Sequence, residues 1–135
     1  MLIIIIGLPG SGKTHYYNEK YKDNYIFYDD FISNFFNGLL IKEIQRKKNI
    51  CIADPRLCNY ELFIKYMKCF EEILDKKEIK LILFKNDKEQ CIFNANKRNN
   101  KNVNDTIINY NKIYNLDNYK VYNYEIIDVY KNNND

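Results

Sequence analysis

Leu2-Ile3-Ile4-Ile5-Ile6 runs directly into the octapeptide Gly7-Leu8-Pro9-Gly10-Ser11-Gly12-Lys13-Thr14. Nothing else in the chain restricts its fold as much. A run that is apolar at every position has no wet face. As a strand it must be covered on both sides, which is the situation of a central strand in a parallel sheet. The glycines that follow permit backbone torsions other residues resist, and they stop the strand in a tight turn. A helix is expected to open near Lys13 and to run to about Lys22. The order strand, glycine turn, helix is therefore set within the first two dozen residues.

The same alternation continues. Residues 25–28 read as a second strand, ended by Asp29-Asp30. A helical segment follows, broken at Asn37-Gly38 and resuming from 39 to about 47. Residues 49–53 form a third apolar strand, stopped by Asp54-Pro55. Leu62, Phe63, Tyr66, Phe70, Ile73 and Leu74 recur at helical spacing over 61–75, with Asn59 placed as the N-cap. Residues 80–84 are a fourth strand. Asp87 and Gln90 have capping-box spacing ahead of a helix to about Arg98. After a polar, basic loop at 99–102, Val103, Ile107, Tyr110 and Tyr114 mark another helical face. One or two strands are expected within 119–130, and a frayed polar tail at 132–135.

Strands alternating with helices predict a three-layer α/β domain over 1–131, with a mostly parallel sheet flanked by helices. Such sheets bind ligands beyond the carboxyl ends of their strands. Those ends carry residues 7–14, Asp29-Asp30, Asp54 and the loop after Phe84, so the candidate chemistry collects on one edge.

Composition excludes several alternatives. Net charge is only +3, too mild to argue by itself for nucleic acid or an anionic membrane. Cys51, Cys58, Cys69 and Cys91 lack CxxC spacing, and His15 is the sole histidine, so no zinc site is expected. The four cysteines read as free thiols in a reducing compartment. No apolar stretch reaches membrane-spanning length, and the start lacks the pattern of a signal peptide, so no membrane partner and a cytoplasmic location are expected. Nothing in the sequence indicates an oligomeric state.

The octapeptide satisfies GxxxxGK[ST] through Gly7, Gly12, Lys13 and Thr14. Its glycines let successive N–H groups face phosphate oxygens, and the following helix adds its positive end. Gly7, Pro9, Gly10, Ser11, Gly12, Lys13 and Thr14 are thus the candidate nucleotide-binding residues. Lys13 is expected at the β- and γ-phosphates, and Thr14 at Mg²⁺ through its hydroxyl. Asp54, at a strand end, is a second candidate for the ion, through a bound water; the alternative is a turn cap at Asp-Pro. Asp29 is the candidate that orients a hydroxyl and takes its proton, while Asp30 is expected to cap the next helix. Among three arginines, Arg98 is the candidate to neutralise charge on a transferring phosphoryl group. Arg56 is a weaker candidate for a substrate phosphate, and Tyr28 or Phe31 for stacking on a base. His15 is expected to pair with nothing.

With these residues in this order, the chain resembles the small P-loop kinases, and most closely the kinase domain of the bacteriophage polynucleotide kinase type. The resemblance rests on residues 7–14, on Tyr28-Asp29-Asp30-Phe31, on 50–55, and on Asn94-Ala95-Asn96-Lys97-Arg98 with the helix after it. It implies a P-loop NTPase fold with sheet order 2-3-1-4-5. It also implies direct transfer of the γ-phosphate of ATP–Mg²⁺ to a hydroxyl: a polynucleotide 5′ end, a nucleoside or a small molecule. Asp29 falls on the family's general base and Arg98 on its lid arginine. Ile32 and Asn94 stand where such kinases carry basic residues. A degenerate kinase that binds ATP as a regulatory module is the alternative, and a simple ATPase or GTPase is a third reading. A guanine-specificity motif of the Asn-Lys-x-Asp kind is not found.

Overall fold

The computed structural model describes residues 1–132. Five strands alternate with helices. They are β1 (Leu2–Ile6), β2 (Ile26–Asp29), β3 (Ile50–Ala53), β4 (Ile79–Phe84) and β5 (Asn123–Ile127). The helices are α1 (Lys13–Lys20), α2 (Leu39–Gln45), α3 (Tyr60–Glu71), α4 (Lys88–Lys97) and α5 (Asn104–Asn111), with 3-10 turns between them. The strands form one sheet in the order β2-β3-β1-β4-β5, and all its pairings are parallel. β1 is central and every one of its residues is buried, as its unbroken apolar run requires.

The two faces of the sheet are covered unequally. Leu2, Ile4 and Ile6 point with Ile50, Ile52, Leu81 and Leu83 toward α2 through α5. On the opposite face Ile3, Ile5, Cys51, Ala53, Ile82 and Phe84 meet α1, the one helix contributing to that cluster. Tyrosines make up for its short length. Tyr17 stacks on Phe27 with ring centroids 4.3 Å apart and donates its hydroxyl to the Tyr25 carbonyl, and Tyr16 meets Phe84 edge-on. Bulky aromatic area burial is what lets an eight-residue helix close a sheet face.

Local signals account for most boundaries. The Asn59 side chain accepts from the Glu61 and Leu62 N–H groups and so starts α3. Asp87 caps α4 through the Gln90 N–H at 3.2 Å. The reciprocal half of that box is not made: the Asp87 N–H donates to the Lys85 carbonyl at 3.1 Å, and the Gln90 amide donates to Asn94 Oδ1. A single strand occupies the C-terminal region. Tyr119 lies in a 3-10 turn (Leu116–Tyr119), fully buried, with its hydroxyl donating to the Leu57 carbonyl at 2.6 Å. Of the tail expected at 132–135, residues 133–135 lie outside the described part, and Asn132 lines the cleft considered below. No helix among the described residues is long and apolar enough to cross a membrane. The described cysteines are free thiols.

Phe63 is fully buried against Tyr60, Tyr119 and Tyr122, at the centre of the larger cluster. Phe63→Ala is expected to cost about 3–5 kcal/mol of unfolding free energy, and Asn59→Ala about 1 kcal/mol. Urea denaturation of the two variants checks that order; equal losses would mean that the core is not organised around Phe63.

Candidate functional site

The parallel register brings the carboxyl ends of the strands to one edge. Ala53 pairs with Ile5 on one side and Asp29 on the other, so residues 6–7, 30 and 54 are neighbours where the strands end. A cleft of about 580 Å³ opens there. Pro9, Gly10, Gly12, Lys13 and Thr14 form one wall, Asp29, Asp30 and Pro55 another, and Asn94, Lys97, Arg98, Asn100, Val103 and Thr106 a third.

The glycine turn owes its shape to close approaches. Gly10 and Gly12 have φ of +82° and +100°, in the left-handed region that side chains resist. A Cβ on Gly10 would stand 2.5 Å from the Cys91 carbonyl oxygen in α4, and one on Gly12 would stand 2.5 Å from Tyr130 Cβ. The turn is therefore wedged between α4 and the segment after β5. Asn94 locks the wedge. Its amide nitrogen donates to the Gly10 carbonyl at 2.9 Å and to the Tyr130 carbonyl at 2.8 Å. Tyr130 N–H in turn donates to the Ser11 carbonyl at 2.9 Å.

Lys13 folds back into the turn. Its ammonium donates to the carbonyls of Gly7 and Leu8 at 2.9 and 2.8 Å and, more weakly, to Ser11 Oγ at 3.4 Å. Burial lowers its pKa, and Cys58, Cys91, Asp29 and Asp30 pull the other way. The first intrahelical bond of α1 is donated by Tyr16 N–H to the Gly12 carbonyl, and no side chain caps this helix. The N–H groups of Lys13, Thr14 and His15 precede that bond, at the positive end of the helix.

Asp29 lines the same cleft, and its Oδ1 accepts from the Asp30 N–H at 3.0 Å. Its pKa is raised, first by desolvation and then by the neighbouring Asp30 charge. Its own hydrogen bond and Lys13 work against that rise. Arg98 ends α4 on the third wall, next to the basic loop. Lys13, Thr14, Asp29 and Arg98 thus share one cleft, with Pro9, Gly10 and Gly12, while Gly7 and Ser11 lie beneath it.

At Asp54 the alternative reading, a turn cap at Asp-Pro, is what forms. Asp54 is completely buried and absent from the lining, where Pro55 takes its place. Its carboxylate is closed around Arg56: Oδ1 accepts from Arg56 N–H and Nε, and Oδ2 from Arg56 Nη2 at 2.8 Å. Oδ2 also accepts from the Ile32 N–H at 3.3 Å. A carboxylate has about four acceptor directions, and all are taken. Thr14 lines the cleft, whereas the Asp54 carboxylate does not reach it.

Four further expectations are corrected. Asp30 caps nothing with its side chain and instead adopts a left-handed backbone at φ 48°. Phe31 is buried in the core, unavailable to a base. Arg56 is spent on Asp54 and Ser33. His15 is paired, with Glu19 at 3.0 Å and with the Tyr130 ring at 4.3 Å between centroids. Sequence reading also missed Thr106 and Tyr130 as parts of the cleft, and had Asn94 only as a lid position lacking a basic residue. The contacts of Asn94 and Tyr130 with the glycine turn are long-range, and no local pattern marks them.

The molecule is thus an α/β protein with a parallel five-stranded sheet and a glycine-turn cleft at its carboxyl edge. No family model matches the sequence. It is 42% identical over 134 residues to "Uncharacterized protein R277" of Acanthamoeba polyphaga mimivirus, an alignment covering 96% of this chain and 97% of that protein. The chain belongs to the family of that mimivirus protein.

The raised pKa of Asp29 has a definite sign in stability. The native state holds this proton more tightly than the unfolded chain does, so ionised Asp29 costs stability above its folded pKa. The cost disappears below about pH 4, where both states are protonated. Asp29→Asn is therefore expected to raise Tm at pH 7 and to lose that advantage as pH falls below about 4. A Tm difference independent of pH would assign the effect to the hydrogen bond with Asp30 rather than to charge.

Proposed function

We propose that this chain is an ATP-dependent phosphotransferase with a P-loop NTPase fold, akin to the kinase domain of the bacteriophage polynucleotide kinase type. It moves the γ-phosphate to a hydroxyl acceptor. A polynucleotide 5′-hydroxyl is the first candidate, followed by a nucleoside or small molecule. The observation that carries this reading is the meeting in one cleft of Lys13 and Thr14 on a glycine turn, Asp29 with a raised pKa, and Arg98.

Each group has a part that its surroundings support. The polyphosphate lies along the N–H groups that open α1. Lys13 gives up its long contact to Ser11 Oγ for a phosphate oxygen while keeping its carbonyl partners, so the cation is already oriented. A Mg²⁺ ion arriving with the nucleotide would be held by Thr14 and would neutralise phosphate charge. Asp29 has one carboxylate oxygen occupied by the Asp30 N–H and accepts the acceptor's hydroxyl proton on the other. Desolvation makes it a better base than an ordinary carboxylate. Arg98 lines the same cleft and offsets charge spreading over the transferring oxygens.

A second reading, a nucleotide-binding module without efficient transfer, draws on one observation: Arg56 and Asp54 neutralise each other instead of facing the cleft.

Incubation with γ-labelled ATP and Mg²⁺, with and without 5′-hydroxyl oligonucleotides and nucleosides, separates the readings. Label is expected on one acceptor class. Arg98→Ala is expected to lower kcat by about 10³-fold or more. Lys13→Ala is expected to abolish nucleotide binding, and Asp29→Asn to abolish transfer while nucleotide still binds. ATP binding without labelled acceptor in the unmodified protein would favour the binding module. Full transfer by Asp29→Asn would remove Asp29 as the base.

A further inference from the structure

We propose that Asp54 and Arg56 act as positioning residues. Together they hold the segment after Asp29-Asp30 against the sheet, and Asp54 takes no part in binding a metal ion. Naming that wall the acceptor side rests on the proposed phosphotransfer; the strut itself does not.

The strut follows from the order Asp-Pro-Arg at the end of β3. Pro55 opens a 3-10 turn (Pro55–Cys58), and Asp54 accepts the Arg56 N–H at 3.0 Å. That turn returns the Arg56 side chain to the same carboxylate, which it grips through Nε at 2.9 Å and Nη2 at 2.8 Å. Two ties then cross to the neighbouring segment. Ile32 N–H donates to Asp54 Oδ2 at 3.3 Å, and Arg56 Nη2 donates to Ser33 Oγ at 2.9 Å. Both land within three residues of Asp30.

That segment needs holding. Asp30 has φ 48° and ψ 43°, a left-handed conformation that a non-glycine residue keeps only when its surroundings impose it. Phe31 supplies one anchor, buried edge-on against Tyr66. The strut supplies the other two. Asp29, one residue before the turn, takes its direction into the cleft from this arrangement.

A metal role makes the opposite demand on Asp54. It needs an acceptor direction open toward the cleft, whereas the carboxylate is wholly buried and each direction already receives a donor. The Arg56 pKa is raised, chiefly by its hydrogen bond to Asp54, in keeping with a tightly held pair.

The test compares Asp54→Asn, Arg56→Lys and Ser33→Ala in the full chain, with two readouts. One is amide hydrogen exchange over residues 30–37. The other is the Mg²⁺ concentration giving half-maximal binding of AMP-PNP, a non-hydrolysable ATP analogue. Exchange over 30–37 is expected to speed up roughly tenfold in Asp54→Asn and Arg56→Lys, and less in Ser33→Ala. The Mg²⁺ midpoint is expected to stay within about twofold of the unmodified chain, since no metal ligand is lost. Where transfer is measurable, the acceptor KM rises and the ATP KM holds. A Mg²⁺ midpoint raised by about tenfold or more in Asp54→Asn, with unchanged exchange, would make Asp54 a metal residue and overturn the proposal. Asp54→Asn leaves the Arg56 charge without its partner and can unfold the chain. Arg56→Lys and Ser33→Ala decide the question in that event, and unchanged exchange over 30–37 in both overturns the strut. Failure of AMP-PNP to bind the unmodified chain would count against the phosphotransferase reading alone, because the exchange readout needs no nucleotide.

Discussion

The ammonium of Lys13, buried and closed over the carbonyls of Gly7 and Leu8, is the interaction on which the architecture of the cleft depends. A turn whose glycines present N–H groups outward leaves carbonyls inward, and those carbonyls need a buried donor. Lys13 meets that need at the cost of desolvating a charge, and its lowered pKa reflects that cost. The remaining supports of the turn are steric. Gly10 rests on the α4 backbone and Gly12 on Tyr130, with Asn94 bonded to both sides of the wedge. Helix α4 and the segment after β5 therefore belong to the cleft as much as the glycines do.

The charges around the cleft fall into two groups. Lys13 and Asp29 are drawn toward their neutral forms by burial, one downward and the other upward. Titratable groups pushed in this way are common where proton transfer or anion binding is performed. Asp54 and Arg56 form the second group. They satisfy each other and turn their remaining hydrogen bonds to the backbone of residue 32 and the side chain of Ser33. Lys13 and Asp29 line the cleft, whereas Asp54 is buried and tied with Arg56 to residues 32 and 33.

The departures from the expected kinase pattern acquire a physical meaning in this setting. Asn94 stands where a lid arginine is expected, yet an arginine could not supply what the amide does: two donors to carbonyls on either side of the wedge and an acceptor for Gln90. Ile32, where a basic residue is expected, half-buries its side chain and donates its N–H to Asp54. Both positions serve the scaffold, and the cations lining the cleft on this side are Lys97 and Arg98.

Much of the fold was legible because its signals are local. An unbroken apolar run that ends in a glycine-rich turn reads as a covered strand, and Asn59 and Asp87 sit where helices need caps. The alternation of strands and helices predicts the parallel sheet, and GxxxxGK[ST] predicts which residues line one wall of the cleft. Those readings use spacing along the chain, which short-range sterics and hydrogen bonding translate directly into structure. The sequence by itself therefore determined the first four strands, the glycine turn and the edge where the candidate site gathers, and left one or two strands open within 119–130. Only the tertiary structure decided that Asp54 faces Arg56 rather than the cleft, that Phe31 packs inward, and that Asn94 and Tyr130 brace the turn from 84 and about 120 residues away. The physical reason is that a carboxylate takes whichever donors the packed chain brings to it, and long-range packing leaves no trace in local spacing.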